Sequence, residues 1–211
     1  MRSFPWIISL TILLAVAMVG MGSSFAAGEQ ESLSGASDIE FSARLTWRSG
    51  GKTSKAQLFV KGDRYRIEHM GGVRTDLGYA GVTIIRLDKQ KVWYVLSRRR
   101  LVMAVPLTVD YLLPFTVRLD GETARTLIGD AFAGGRPAKL FEVVVDRSGR
   151  RETFFEWVDI ERDVLLKLVS QDRDWAVEYE HIVYSTQPEF YFEPPLGYQR
   201  IEATEKQAEA G

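Results

Sequence analysis

The sequence predicts a mainly β protein of about 10–11 antiparallel strands joined mostly by short turns. Three observations lead there. From Ile39 onward, apolar and polar side chains alternate with a period of two over run after run. The runs are joined by turns of hairpin length, such as "SGGK", "KGD" and "DRSG". No stretch has the strand-helix-strand spacing that a parallel sheet requires. An antiparallel sheet of this size does not lie flat; it curls into a barrel or splits into a sandwich.

Taken in order, the chain opens with Met1 and Arg2, an apolar run "FPWIISLTILLAVAMVGMG", and small residues up to Ala26. This reads as a secretory signal peptide spanning residues 1–26, cleaved after Ala26, with Ser24 and Ala26 at the two small positions. The alternative is a retained anchor in the inner membrane, since the run approaches spanning length. Residues 27–38 form a polar segment, residues 39–201 a single β domain, and residues 202–211 a flexible tail.

Within the domain, "IEFSARLTW" places Phe41, Ala43, Leu45 and Trp47 on one face. "AQLFV", "RYRIEHM", "GVTIIRL" and "KVWYVL" follow as strands. Pro106 and Pro114 bracket "LTVDYLL", a short helix candidate. "AKLFEVVV" puts Phe141, Val143 and Val145 together, and "RRETFFEWV" pairs back with Phe155 and Trp157 on one side. "VLLKLV" precedes "WAVEYEHIVY", where Trp175, Val177, Tyr179, His181 and Val183 share a face. The aromatics of "QPEFYFEPPLGYQRI" require cover, so this ending reads as an ordered extended segment.

Composition narrows the function. With 27 Lys+Arg against 28 Asp+Glu, the chain lacks the basic footprint of a nucleic-acid binder. It has no cysteine, which excludes disulfides, thiol nucleophiles, thiolate metal sites and a lipid-modified N-terminal cysteine. The periplasm is the expected location. His69 and His181 are far apart in sequence and read as surface or packed histidines rather than metal ligands. No nucleophile elbow, phosphate loop or dinucleotide fingerprint occurs. The expectation is a protein without enzymatic activity, catalytic residues, metal or cofactor. An outer-membrane barrel is disfavoured, because Arg64, Arg66, Glu68, Glu178 and Glu180 charge one face while several strands are short.

What remains is apolar surface on one side of a curled sheet. The expected ligand cavity is lined by Trp47, Phe59, Tyr65, Ile67, Trp93, Val95, Phe141, Val143, Phe155, Trp157, Leu166, Trp175 and Tyr179. The competing expectation is that the same side chains form a filled core. Arg98, Arg99 and Arg100 make the one local basic cluster, either a solvated strand end or a patch for a partner protein or a membrane surface.

The order of "VKGDRYRIE", "TIIRLDKQKVWYVL", "GGRPAKLFEVVV", "FFEWVDIERDVLLKLVSQDRDWAVEYEHI" and "FEPPLGYQRI" resembles the superfamily of the periplasmic lipoprotein carrier and related lipoprotein-sorting proteins. The resemblance runs from about Phe41 to Ile201. It implies an unclosed barrel plugged by helices, and a cavity that binds an acyl chain, a lipid or a lipoprotein for transfer. A stress-sensing role is also implied, and the alternative of an envelope protein-binding module without lipid transfer, docking on an inner- or outer-membrane partner protein, rests on open sheet edges and on Arg98, Arg99 and Arg100. The superfamily's N-terminal helix has no clear counterpart before Ile39.

Overall fold

The computed structural model describes residues 39–203, position 148 excepted. The signal-peptide reading, the polar segment and all of the tail beyond Ala203 lie outside the described residues. Twelve strands form one sheet: β1 (Glu40–Ser49), β2 (Lys52–Lys61), β3 (Arg64–Thr75), β4 (Gly78–Arg86), β5 (Lys91–Leu96), β6 (Leu101–Pro106), β7 (Glu122–Ala133), β8 (Arg136–Arg147), β9 (Arg150–Asp159), β10 (Leu165–Ser170), β11 (Trp175–Tyr184) and β12 (Gln199–Glu202). Their order across the sheet is β12-β6-β5-β4-β3-β2-β1-β11-β10-β9-β8-β7. All neighbours are antiparallel except β12, which runs parallel to β6. The two edges, β12 and β7, do not pair, so the barrel stays open.

A flat sheet of this width would extend about 50 Å. Here Met103 and Val105 of β6 and Val143 and Val145 of β8 belong to one hydrophobic cluster, so the sheet curls around it. The cluster takes the inward side of each alternation: Phe41, Ala43 and Leu45 on β1, Ala56, Leu58 and Val60 on β2, Tyr65 and Ile67 on β3. The concave side is covered by the connection from β6 to β7, which contributes Leu113, Leu119 and Phe115. This connection is a strap rather than a helix. Pro106 and Pro114 leave room only for a 3-10 turn at Val109–Tyr111.

Several strands are buried on both faces. On β5, Val92 and Leu96 face the main cluster, while Trp93 and Val95 join Ile84, Val102 and Ala104 in a second cluster on the convex side. Tyr198 packs onto that second cluster, and Phe192 in the 3-10 turn Glu189–Phe192 is fully buried. The C-terminal segment therefore lies along the outside of the sheet. Arg86 is the main tie: it donates to the Phe192 carbonyl at 3.2 Å, and pairs with Asp88 and Glu193. Lys61 and Arg64 both pair with Glu189.

Three sequence expectations change. The face of β11 switches at His181, which sits at φ 53° where the register with β1 shifts. This bulge turns Ile182 and Tyr184 inward, and Val183 outward to 56 % exposure. On β9 the inward side chains are Phe154, Glu156 and Val158, so Phe155 and Trp157 lie on the other face. The chain end also starts later than residue 202. Glu202 is still in β12, and the Ala203 amide donates to the Ala104 carbonyl at 2.8 Å.

The β7–β8 hairpin tip folds back against β11. A Cβ at Gly134 would stand 2.1 Å from the Tyr179 carbonyl oxygen, and the residue is at φ +58°. Only glycine allows that approach. Alternate hairpin turns lie at opposite ends of the sheet. One end carries the β1–β2, β3–β4, β5–β6 and β10–β11 turns, linked where the Gly50 amide donates to the Asp174 carbonyl at 3.1 Å. The other end carries the β2–β3, β4–β5 and β9–β10 turns.

Candidate ligand cavity

Between the strap and the open half of the sheet, from β12 across β6–β1 to β11, lies a partly open cavity of about 230 Å³. Leu45, Ile67, Ile85 and Val177 form its buried floor. Tyr111, Pro114 and Phe115 form its roof from the strap. Trp47, Val73, Asp110 and Trp175 also line it and keep partial or full exposure, which locates the mouth at the end with the β1–β2 and β3–β4 turns.

The roof is fastened at several points. The Phe115 ring stacks on Tyr65 at 4.8 Å. The Tyr179 hydroxyl donates to the Pro114 carbonyl, and the Tyr94 hydroxyl donates to that of Tyr111 at 3.1 Å. Arg147 pairs with Asp110 at 3.2 Å, linking the strap to β8. Burial holds the Tyr179 phenol well above its usual range, so it remains a donor.

Polar groups of His69, Thr83, Tyr94, Asp110 and Tyr111 interrupt the apolar wall. The His69 Nε2 lies 2.8 Å from the Thr83 hydroxyl, and its ring meets Trp47 edge-on at 5.5 Å. Its Nδ1 is buried without a partner. Burial lowers the His69 pKa to about 4, so the ring is neutral at pH 7. The sign follows directly. An unfolded His69 takes up a proton near pH 6.5 and the folded one does not, so stability falls as pH drops from about 6.5 toward about 4. A His69→Phe variant is expected to lose this slope, a difference on the order of 3 kcal/mol between pH 7 and pH 4. Chemical denaturation of both proteins across that range checks it, since the other titrating groups cancel in the comparison.

The thirteen residues expected in a cavity divide between the two faces. Trp47, Ile67 and Trp175 line the cavity, and Tyr65 and Tyr179 line a smaller adjoining pocket of about 90 Å³. Val143 is in the main cluster with Phe141 packed on it. The others are brought elsewhere. Phe59 meets Tyr191 of the outer segment at 5.0 Å, and Trp93 and Val95 lie in the second cluster. Leu166 forms a third cluster with Ala133 and Ala138, against which Trp157 packs, and Phe155 shares Trp157's side of β9. These six are structural contacts of the convex side, separated from the cavity by the sheet itself.

Sequence reasoning found the roof segment only as a short helix candidate and named none of its residues for the cavity, and it missed the polar groups. The roof residues sit in "PLTVDYLLPF", whose bracketing prolines were the available signal. His69 and Thr83 have no local signature, because only strand pairing brings them together. A second polar group was also missed, at the far side of the concave face. Glu156 is fully buried and pairs with Arg125 at 2.5 Å, and Arg125 also pairs with Glu122 at 2.8 Å. Burial pushes the Glu156 carboxyl up to about 7 despite the opposing pull of Arg125. Among the described residues, no group of His, Asp and Glu is arranged to hold a metal ion.

Comparison with known proteins places this geometry in a fold class. No known family matches the sequence and no curated protein does. Solved structures do. The chain is similar to MucB, at 18 % identity and a TM-score of 0.51 over 78 % of this chain and 60 % of that one. MucB in the MucA/MucB complex of Pseudomonas aeruginosa matches at 18 % identity and a TM-score of 0.49, over 79 % of this chain and 59 % of that one. A putative outer membrane lipoprotein-sorting protein domain from Vibrio parahaemolyticus matches at 10 % identity and a TM-score of 0.32, over 72 % and 89 %. The chain thus spans about three fifths of the MucB chains it matches. The unclosed barrel that the resemblance implies is the fold observed, and MucB has a similar one.

Proposed function

We propose that this protein is a non-catalytic binder of a single acyl chain, free or attached to a lipid or lipoprotein, and that it works in the periplasm after loss of residues 1–26. The supporting observation is the partly open, mainly apolar cavity under the β6–β7 strap, with the half-buried His69 in its wall. Its size selects the ligand. About 230 Å³ exceeds the roughly 150 Å³ that admits benzene, but falls short of the roughly 300 Å³ at which drug-sized pockets begin. That accommodates part of one chain, not a whole lipid. Each methylene buried would contribute about 0.8 kcal/mol.

The test is uptake of fluorescent fatty acids of increasing length. Wild type is expected to bind, with affinity rising with length until the cavity is filled. A Val73→Trp variant, which fills the mouth from a half-buried site, is expected to bind at least tenfold more weakly while keeping its melting temperature within a few degrees. Equal uptake by the two proteins, or none by wild type, would refute the reading.

A second reading, an envelope protein-binding or stress-sensing module without lipid transfer, is favoured by one specific feature. The edge strand β7 has no partner on its outer side, and Leu127, Ile128 and Phe132 on it are exposed. Open apolar edges accept an added strand from another chain. The MucB fold likeness is compatible with either reading.

A further inference from the structure

The two ends of the open half differ in how their charges are treated. At the end away from the cavity mouth, the β2–β3 and β4–β5 turns carry Lys61, Arg64, Arg86, Lys89 and Lys91. Every one is ion-paired, to Glu40, Asp63, Asp88, Glu189, Glu193 or Glu202. At the mouth end, the β10–β11 turn carries Asp172 and Asp174, whose carboxylates accept from the Thr153 and Gly51 amides, and the β1–β2, β3–β4 and β5–β6 turns carry Arg48, Lys52, Arg74, Arg98, Arg99 and Arg100 with one carboxylate, Asp76. All six cations are exposed, and none has an ion-pair partner among the described residues. The chain as a whole is slightly acidic, at −1, so this asymmetry is local.

Exposed apolar side chains stand at the same end. Leu196 is 92 % exposed, next to Gly197, whose Cβ position lies 3.5 Å from an Arg100 guanidinium nitrogen. Tyr79, 67 % exposed, is the second residue of β4, and a Cβ at Gly78 before it would lie 3.7 Å from the Arg99 Nε. Met70 and Val109 are also exposed, the one beside the bulge of β3 and the other on the strap next to the cavity lining residue Asp110.

We infer that this end is a docking face for an anionic lipid bilayer, with the arginine turns on the headgroups and Leu196 and Tyr79 entering the interface. Cations bracketing exposed apolar tips suit a charged, deformable surface with an apolar interior. An acidic protein would satisfy the arginines but would leave Leu196 and Tyr79 without a matching contact. Docking here presents the cavity mouth to the membrane, so a chain leaving the bilayer has a short path to the space between Trp47 and Trp175. In that respect the inference builds on the acyl-binding reading, yet docking and uptake are measured separately.

The experiment is co-sedimentation of the exported, purified chain with two kinds of vesicle, phosphatidylcholine alone and phosphatidylcholine with about one third phosphatidylglycerol. Residues 1–26 are the same in wild type and in every variant, so differences between them report on this face. Binding at low salt is expected to be at least tenfold stronger to the anionic vesicles, and to be lost in high salt. The R98E/R99E/R100E variant should lose at least tenfold of that binding while taking up fatty acid as wild type does. K139E, a reversal on the β7–β8 hairpin, should bind vesicles normally. Leu196→Ser should weaken binding without changing the salt dependence. Equal binding to both vesicle types, no binding to either, or full binding by the triple variant each overturns the inference. Capture of an acidic peptide by the arginine turns, with vesicles ignored, overturns it in favour of a protein partner.

Discussion

An Arg125→Met variant is expected to lose about 3–5 kcal/mol of stability at pH 8. Arg125 ties three elements on the concave face. It pairs with Glu156 at 2.5 Å and Glu122 at 2.8 Å, and donates to the Val117 carbonyl of the strap at 2.5 Å. Removing it leaves Glu156 fully buried with neither carboxylate oxygen satisfied, since Oε1 already lacks a partner. The loss should shrink at pH 5. The folded Glu156 pKa is raised to about 7 from 4.5, so its protonated form is favoured in the folded state. That stabilising preference is complete below pH 4.5 and is lost as pH rises through the folded pKa. Without Arg125 the folded pKa rises further, and the penalty grows with pH. The double variant Arg125→Met/Glu156→Met should recover most of the stability, because a buried ion pair replaced by apolar groups of similar volume is often neutral. Denaturation at pH 5 and pH 8 checks all three statements. A single variant as stable as wild type at pH 8 would show that Glu156 is not held as a buried ion.

Trp93→Ala is expected to cost about 3–5 kcal/mol and to leave fatty-acid uptake unchanged in the protein that remains folded. Trp93 is 8 % exposed and packs with Ile84, Val95, Val102 and Ala104, on the opposite side of β5 from Val92 and Leu96. Lys89 also lies 5.4 Å from its ring. The cavity it leaves would open beneath the outer C-terminal segment, not beneath the strap. Denaturant midpoints and uptake, measured on the same preparation, separate the two effects. A Trp93→Ala protein of unaltered stability with altered chain-length preference would place the ligand on the convex side.

Alternation made most of the sheet legible. On β1 the period of two gives Phe41, Ala43, Leu45 and Trp47 correctly as one face, because one side of that strand is solvated and polar. It fails where both faces are covered. β5 is apolar on both sides, so its pattern cannot say which side of Trp93 holds the ligand. β9 is harder still: "FFEWV" offers aromatics on both faces, and the inward position is taken by a charged residue, Glu156, whose partner lies 31 positions earlier. On β11 the period is right until His181, where a non-glycine residue in the left-handed region resets it. β12 escaped notice because four residues pairing in parallel with β6 form no hairpin. The cavity itself was legible only through Trp47, Ile67 and Trp175. Its roof is a strap with no regular period, and His69 meets Thr83 through strand pairing that no local pattern encodes.

The central claim is that an acyl chain lies between the strap and the sheet, beside Trp47 and Trp175. Quenching of tryptophan fluorescence by a bromine-labelled dodecanoic acid tests it most directly, because bromine quenches only a ring it touches. Trp47 and Trp175 line the cavity, while Trp93 and Trp157 lie across the sheet from it. Saturable quenching is expected in wild type and in Trp157→Phe, and it should vanish in a Trp47→Phe/Trp175→Phe double variant that still binds the unlabelled acid. Quenching that survives in the double variant and disappears in Trp157→Phe would contradict the account and move the ligand to the convex face.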